Sequence, residues 1–243
     1  MRIIYGVNPV LEALNSHPED FKDLLIVQGR AGQAGEKIKK LAHQHGIRCR
    51  IVGKDEIEKL AQTTHHQGVA GILTEFQYAE VEDILERWKS SGEKALLLIL
   101  DSIQDPQNLG SLIRTAYAAG VHGVIIPKDR AAEVSPSVAK ASAGAVEHTL
   151  IARVTNIAST IEQLKKAGIW VVGIEADSPQ DIYSFDMDRD IAIVIGSEGK
   201  GMRRLVRETC DACLSIHMKG KISSLNASVA GGIALFEVMR NRT

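Results

Sequence analysis

Apolar and polar positions alternate along this chain in short blocks whose period switches repeatedly. Leu24-Leu25-Ile26-Val27 and Val69-Ala70-Gly71-Ile72-Leu73 are continuous apolar runs that read as buried strands. Between them, residues 36–42 and 55–61 carry helical periodicity and residues 47–52 alternate as a strand does. Asn8-Pro9 ahead of Val10, Leu11 and Leu14 reads as a cap and a first-turn proline opening an amphipathic helix. Residues 1–75 therefore predict a small α/β/α sandwich. From 76 to 94 the character changes: a charged amphipathic segment at 80–88 is followed by the loop composition Ser90-Ser91-Gly92-Glu93-Lys94, which marks a linker.

The second domain, 95–243, opens on Ala95-Leu96-Leu97-Leu98-Ile99-Leu100-Asp101, an apolar run suited to a central parallel strand covered on both faces. Strands at 121–126, 150–154, 169–174, 191–195 and 214–218 alternate with helices at 109–119, after Ser135-Pro136, at 157–164 with Thr155 as cap, at 202–208, and at 226–240. Regular strand-helix alternation predicts an α/β fold with a doubly wound parallel sheet, in which ligands sit beyond the carboxyl ends of the strands.

Composition narrows the setting. The start lacks the apolar core of a signal peptide, and no apolar run approaches the roughly 20 residues that span a bilayer. Three cysteines, Cys49, Cys210 and Cys213, suit a reducing compartment, so a cytoplasmic protein with neither membrane nor DNA as partner is expected. A net charge of −1 excludes an indiscriminate polyanion binder, leaving local basic patches to meet any nucleic acid. In the first domain such residues are Arg30, Lys37, Lys39, Lys40, Arg48 and Arg50, which would meet phosphates or merely solvate a helix face. His43, His45, His65 and His66 lack partners at ligand spacing, so no metal is expected. Cys210-Asp211-Ala212-Cys213 is a lone pair without a second, and reads as structural.

Three segments follow a strand and precede a helix. In Asp105-Pro106-Gln107-Asn108-Leu109-Gly110-Ser111-Leu112-Ile113-Arg114, Asn108 sits where a cap belongs and Arg114 shares a helix face with Ser111, though a capped surface helix would look alike. In Gly196-Ser197-Glu198-Gly199-Lys200-Gly201-Met202, the spacing fits neither the dinucleotide fingerprint nor the phosphate-binding loop. In the stretch from His217 to Ser228, Ser224 and Asn226 are either site residues or caps of the last helix. Gly231 and Gly232 inside that helix each cost roughly 1 kcal/mol relative to alanine, which suggests close packing against another backbone, such as a partner subunit.

Asn-Leu-Gly-Ser-Leu-Ile-Arg-Thr-Ala, Ile-Gly-Ser-Glu-Gly-Lys-Gly-Met and Ser-Ser-Leu-Asn-Ala-Ser-Val-Ala, in this order, resemble the three motifs of the SpoU (TrmH-like) branch of the SPOUT RNA methyltransferases. The first 75 residues, including His66-Gln67-Gly68-Val69, resemble the ribosomal-protein-like RNA-binding domain of the subgroup acting on large-subunit ribosomal RNA. His217, in place of a usual proline, and Ala227, in place of a usual valine, depart from the pattern. The resemblance implies methyl transfer from S-adenosylmethionine to the ribose 2′-hydroxyl of a guanosine in large-subunit ribosomal RNA. A transfer RNA target, or an RNA-binding assembly protein without turnover, are the alternatives. It further implies a deep trefoil knot and a homodimer through the catalytic domain. The cofactor would lie against Gly196, Ser197, Gly199, Gly201, Ile216, Met218, Ser224 and Leu225. Asn108, Arg114, Glu198, Ser224 and Asn226 would be the catalytic set, with Glu198 orienting Arg114 or a loop amide. Arg114 is the family's proposed base, but a guanidinium hardly ever deprotonates, so a cation stabilising the developing alkoxide is the role expected of it. Lys128, Arg130, Arg153, Lys200, Arg203, Arg204 and Lys221 would hold the RNA backbone.

Overall fold

The computed structural model describes residues 1–30, 32–220 and 224–242, which divide into two compact units. One comprises Met1–Gln77 with Glu133–His148, the other Tyr78–Ala132 with the chain from Thr149 onward.

The first unit is built on strands β1 (Arg2–Tyr5), β2 (Phe21–Val27), β3 (Cys49–Val52) and β4 (Val69–Leu73), in the order β1-β4-β2-β3. β4 runs antiparallel to both neighbours, while β2 and β3 are parallel. The apolar runs of β2 and β4 are the inner strands, so both faces are covered and continuous hydrophobicity is required of them. β1 was not expected: four residues are too few to establish a period, and only the pairing with β4 defines the strand. Helices α1 (Val7–Ser16), α2 (Gly32–Gln44) and α3 (Lys54–Ala61) belong to the same unit. Asn8 is not the cap of α1. The helix begins two residues earlier, capped by Gly6 at φ 93°, and Asn8 and Pro9 lie within its first turn.

The second unit carries an all-parallel sheet of β5 (Leu96–Asp101), β6 (Gly123–Pro127), β7 (Ile151–Val154), β8 (Trp170–Ile174), β9 (Ile191–Gly196) and β10 (Ala212–Leu214), ordered β10-β8-β9-β5-β6-β7. Helix α4 (Val81–Ser91) falls inside the stretch expected as linker, and its Val81, Ile84 and Leu85 are buried in the core of this unit with Leu97, Ile99 and Val194. Helix α5 (Pro106–Ala118) is capped by Asp105, whose carboxylate accepts the Gln107 N–H at 3.0 Å, and not by Asn108, which lies buried in the first turn. The short helix expected after Ser135-Pro136 is α6 (Pro136–Ala141), which belongs to the first unit and is capped by Ser135. Helix α7 (Ile157–Lys166) is capped by Asn156 rather than Thr155. Helices α8 (Arg204–Thr209) and α9 (Ala227–Arg242) follow.

β10 ends at Leu214 instead of running from 214 to 218, because the chain leaves the sheet there: Ser215 donates its N–H to Gln180 O and accepts from Ile182 N. Gly231 is explained within the chain, since a Cβ there would stand 2.4 Å from Leu112 Cδ2 of α5. At the centre of the sheet β9 lies between β8 and β5, with Gly196 in register with Asp101 and Ile195 with Ile174. Three carboxyl ends thus meet side by side.

Residues 133–148 return to the first unit. Arg2 makes a bidentate pair with the buried Glu147 carboxylate at 2.9 and 2.7 Å, and His148 meets Glu12 at 2.8 Å.

Candidate active site

The loop after β9 is locked by its own backbone. Ser197 and Gly201 exchange N–H···O bonds of 3.0 and 2.9 Å, and Met202 N–H donates to Glu175 Oε1 at 2.9 Å. Gly199 and Gly201 take φ of 75° and 64°, left-handed values that favour glycine. Gly196 is required for a different reason. The loop returns across it so closely that a Cβ would lie 2.2 Å from Gly201 C and 2.3 Å from Met202 N.

Around this loop is a cavity of about 300 Å³ whose lining includes Gly196, Ser197, Gly199, Gly201, Ile216, Met218, Ser224 and Leu225. Each of the eight residues expected to hold the cofactor lines it. Glu175, Ala176 and Asp177, from the end of β8, complete the wall. They were missed, although their position just past a parallel strand is the signal that pointed to the glycine loop. Peptide groups, apolar Ile216 and Leu225, and the three carboxylates Glu175, Asp177 and Glu198 suit a ligand with a flat apolar base, ribose hydroxyls and a cationic centre. S-adenosylmethionine has that make-up.

On the other side of the same loop lies a cleft of about 650 Å³ that includes Ser102, Asn108, Arg130, Lys200, Arg203 and Arg204. Ser197, Glu198, Lys200 and Gly201 line both spaces. At this junction the three segments converge. Asn108 Nδ2 donates to Glu198 Oε1; Asn226 Nδ2 donates to the same oxygen at 2.9 Å and to Asn108 Oδ1 at 3.0 Å. Asn226 also caps α9, its Oδ1 accepting Ser228 N–H at 2.9 Å and Ser228 Oγ–H at 2.6 Å. Asn226 is therefore the cap of the last helix and at the same time a hydrogen-bond partner of Asn108 and Glu198.

Arg114 stands apart. It is exposed on α5, lines neither space, and makes no hydrogen bond or ion pair among the described residues. Glu198 is held by the two asparagines and does not orient Arg114 in this arrangement.

The basic residues divide by engagement. Arg203 is tied to the fully buried Asp101, its backbone N–H and Nε each donating at 2.7 Å. Arg153 stacks 4.8 Å over the Tyr78 ring and donates to Lys128 O at 3.1 Å. Both guanidinium groups are thus fixed within the unit rather than held ready for a polyanion, though Arg203 still borders the cleft. Arg204 meets Glu208 at 3.6 Å on an exposed helix face, while Lys128 and Arg130 are exposed. In the first unit Lys39, Arg48 and Arg50 pair with Glu36, Asp23 and Glu56 at 2.8, 3.6 and 2.9 Å, surface pairs of small energetic weight. Arg30 and Lys40 are exposed without an ion pair among the described residues. Lys221 lies outside the described residues. Burial, with Cys213 and Asp211 adding to it, pushes the Cys210 thiol up to about 12, which suits a packing residue rather than a nucleophile.

Known proteins match this chain along nearly its whole length. Residues 95–236 match the SpoU rRNA Methylase family and residues 3–79 match the RNA 2′-O ribose methyltransferase substrate binding family. YacO of Bacillus subtilis (strain 168), assigned to the TrmH family of tRNA/rRNA methyltransferases, is 44% identical over 98% of this chain and 95% of its own. The 23S rRNA (guanosine-2′-O-)-methyltransferase RlmB of Nitrosomonas europaea is 42% identical over 99% and 92%. The crystal structure of the SpoU methyltransferase AviRb from Streptomyces viridochromogenes with the cofactor AdoMet superposes with a TM-score of 0.81 at 27% identity, covering 99% of this chain and 90% of that one. With both family matches and these relatives covering the chain, it belongs to the SpoU/TrmH family of S-adenosylmethionine-dependent RNA 2′-O-methyltransferases.

Proposed function

We propose that this enzyme methylates the ribose 2′-hydroxyl of a guanosine in large-subunit ribosomal RNA, in the cytoplasm and as a homodimer. The observation that carries the reading is the shared wall of the two spaces. The cofactor cavity and the basic cleft have the Ser197–Gly201 loop in common, so a ribose in the cleft would lie one loop's thickness from the cofactor. The guanosine and the ribosomal target rest on the 42% identity to RlmB along nearly the whole chain.

S-adenosylmethionine, bound in the cavity, supplies an electrophilic methyl group. The chain supplies alignment and charge, since a ribose hydroxyl is a poor nucleophile at neutral pH. Asn108 and Asn226 fix one oxygen of Glu198, leaving Oε2 to accept a hydrogen bond from the ribose hydroxyl and orient it. Ser224 borders the cavity beside this group. Arg130 and Lys200 hold the flanking phosphates, which position RNA without reading its sequence. Arg114 supplies a positive charge for the developing alkoxide and acts in a site of the partner copy. Two observations support the dimer: Arg114 lies outside both spaces of its own chain, and the packed helices α5 and α9 expose Tyr117, Val229 and Phe236 by 49, 49 and 50%. The trefoil knot implied by the family is consistent with the way the 196–201 loop shares one cavity with Ile216, Met218, Ser224 and Leu225 while α9 returns to pack on α5 and β9.

The test is incorporation of radiolabelled methyl groups from S-adenosylmethionine into large-subunit ribosomal RNA and into transfer RNA, followed by mapping of 2′-O-methylguanosine. Label confined to transfer RNA would move the target, and no label in either would reduce the protein to an assembly factor.

A further inference from the structure

The segment 133–148 lies in sequence between β6 and β7, yet belongs to the first unit and brings Lys140 into it. There Lys140 borders an open cleft of about 570 Å³ with Arg30, Thr64, His65 and Gln67. Among the described residues no carboxylate lines this cleft.

Its polar groups are held in place. Lys140 Nζ donates to Gln67 Oε1 at 2.7 Å, and Val7 N–H donates to the same oxygen at 3.0 Å. Two donors on Oε1 fix the orientation of the amide, and its NH₂ has no acceptor among the described residues. Gln67 adopts φ 56°, on a turn in which the buried His66 accepts Gly68 N–H through Nδ1 at 3.1 Å. Gly6 leaves the space the ammonium needs: a Cβ there would stand 2.5 Å from Lys140 Nζ and 2.9 Å from Gln67 Oε1. A half-buried ammonium with a neutral amide as its partner retains two donors and an uncompensated charge.

We propose that this cleft binds a backbone phosphate of the RNA substrate through Lys140, Arg30 and the Gln67 amide. On this reading, which rests on the RNA function proposed above, a segment from the methyltransferase part of the sequence completes the RNA-binding surface of the first unit. Burial lowers the Lys140 pKa, the direction that an approaching phosphate would reverse.

The experiment uses the full chain and a fluorescein-labelled transcript of large-subunit ribosomal RNA, titrated at several salt concentrations. Lys140→Met and Arg30→Met are each expected to lower affinity about fivefold to tenfold and to reduce the slope of log affinity against log salt by about one. Affinity for S-adenosylhomocysteine should stay at the wild-type value in both. Arg30 is exposed, so its variant remains informative even if Lys140→Met folds poorly. Wild-type affinity and slope in Arg30→Met and in a folded Lys140→Met overturn the proposal while leaving the RNA reading standing. A parallel titration with inorganic phosphate separates sources: variants that differ from wild type toward phosphate but not toward RNA overturn the assignment to the RNA backbone. Failure of the wild type itself to bind RNA overturns both readings together.

Discussion

Replacing Gly196 by alanine should abolish cofactor binding while leaving the rest of the sheet intact. The added Cβ would meet Gly201 C at 2.2 Å, Met202 N at 2.3 Å and Gly201 O at 2.6 Å. These are backbone atoms that no rotamer change can move away, so the loop must open. Opening it breaks the Ser197–Gly201 pair of bonds and the bond from Met202 N–H to Glu175. At about 1 kcal/mol each, those three bonds amount to about 3 kcal/mol. If that cost is the cost of restoring the binding-competent loop, it corresponds to more than about a hundredfold in affinity. Gly199 is the control. Unlike Gly196 it has a positive φ, 75°, but a Cβ there meets nothing within 4 Å, so Gly199→Ala should cost about 1 kcal/mol of backbone strain and roughly fivefold in affinity. Calorimetry with S-adenosylhomocysteine measures both. A Gly196→Ala protein that binds within about fivefold of wild type, or a Gly199→Ala protein that binds worse than Gly196→Ala, would refute the argument from loop crossing.

Asn226→Asp keeps the oxygen that caps α9 but removes both Nδ2 bonds and sets a carboxylate beside Glu198; methyl transfer should fall at least about tenfold, or ~1.4 kcal/mol, while the melting temperature holds near wild type, as calorimetric scans would check. Arg114→Lys keeps charge but loses the planar fork, and the rate constant for methyl transfer should fall about tenfold or more with S-adenosylhomocysteine affinity unchanged; a full rate and an unaltered pH profile would count against the fork. Arg242 donates to Lys94 O, Ala95 O and Arg189 O at 3.0, 2.6 and 2.7 Å. Arg242→Ala should therefore cost about 2–4 kcal/mol, seen as a drop of roughly 5–15 °C in melting temperature. His122 is buried, with Nδ1 accepting Leu96 N–H at 3.2 Å and Nε2 meeting Ser91 Oγ at 3.1 Å, and burial lowers its pKa. The unfolded chain then binds the proton more readily, so stability is full above the ordinary histidine value near 6.5 and declines as pH falls below it. Denaturant melts of wild type and His122→Asn between pH 7 and 5 should show a shallower pH dependence in the variant.

How much of this could be read from the sequence depended on whether the signal was local. The runs at 24–27, 69–73 and 96–100 announce inner strands because such strands are apolar throughout, and the structure places them inside. β1 escaped because its pairing with β4 is set across some seventy residues by Arg2 opposite Leu73. Cap positions were misjudged by one to three residues, since Asp105 and Asn156 compete with neighbouring Asn108 and Thr155 on composition alone. The glycine spacing at 196, 199 and 201 identified a ligand loop, but two causes lie behind it. Gly199 and Gly201 are needed for φ, Gly196 for a backbone crossing that only tertiary structure reveals. Arg203 and Arg153 were read as free cations because sequence shows charge but not the carboxylate or ring that occupies it.

The junction of the two spaces shows why site and scaffold were hard to separate. Asn226 uses its oxygen to start α9 and its nitrogen to hold Glu198 and Asn108, so one side chain satisfies helix termination and site geometry together. Asn108 does the converse: released from capping by Asp105, it is free to turn its amide toward the loop. Because Glu198 Oε1 accepts from both, a displacement of α5 or of the start of α9 is transmitted to the same oxygen. The glycine loop is thereby coupled to two helices that pack on each other through Leu112 and Gly231. On the function proposed above, that coupling would make the helix pair, and not the loop alone, the element that sets where a ribose hydroxyl stands relative to the cofactor cavity.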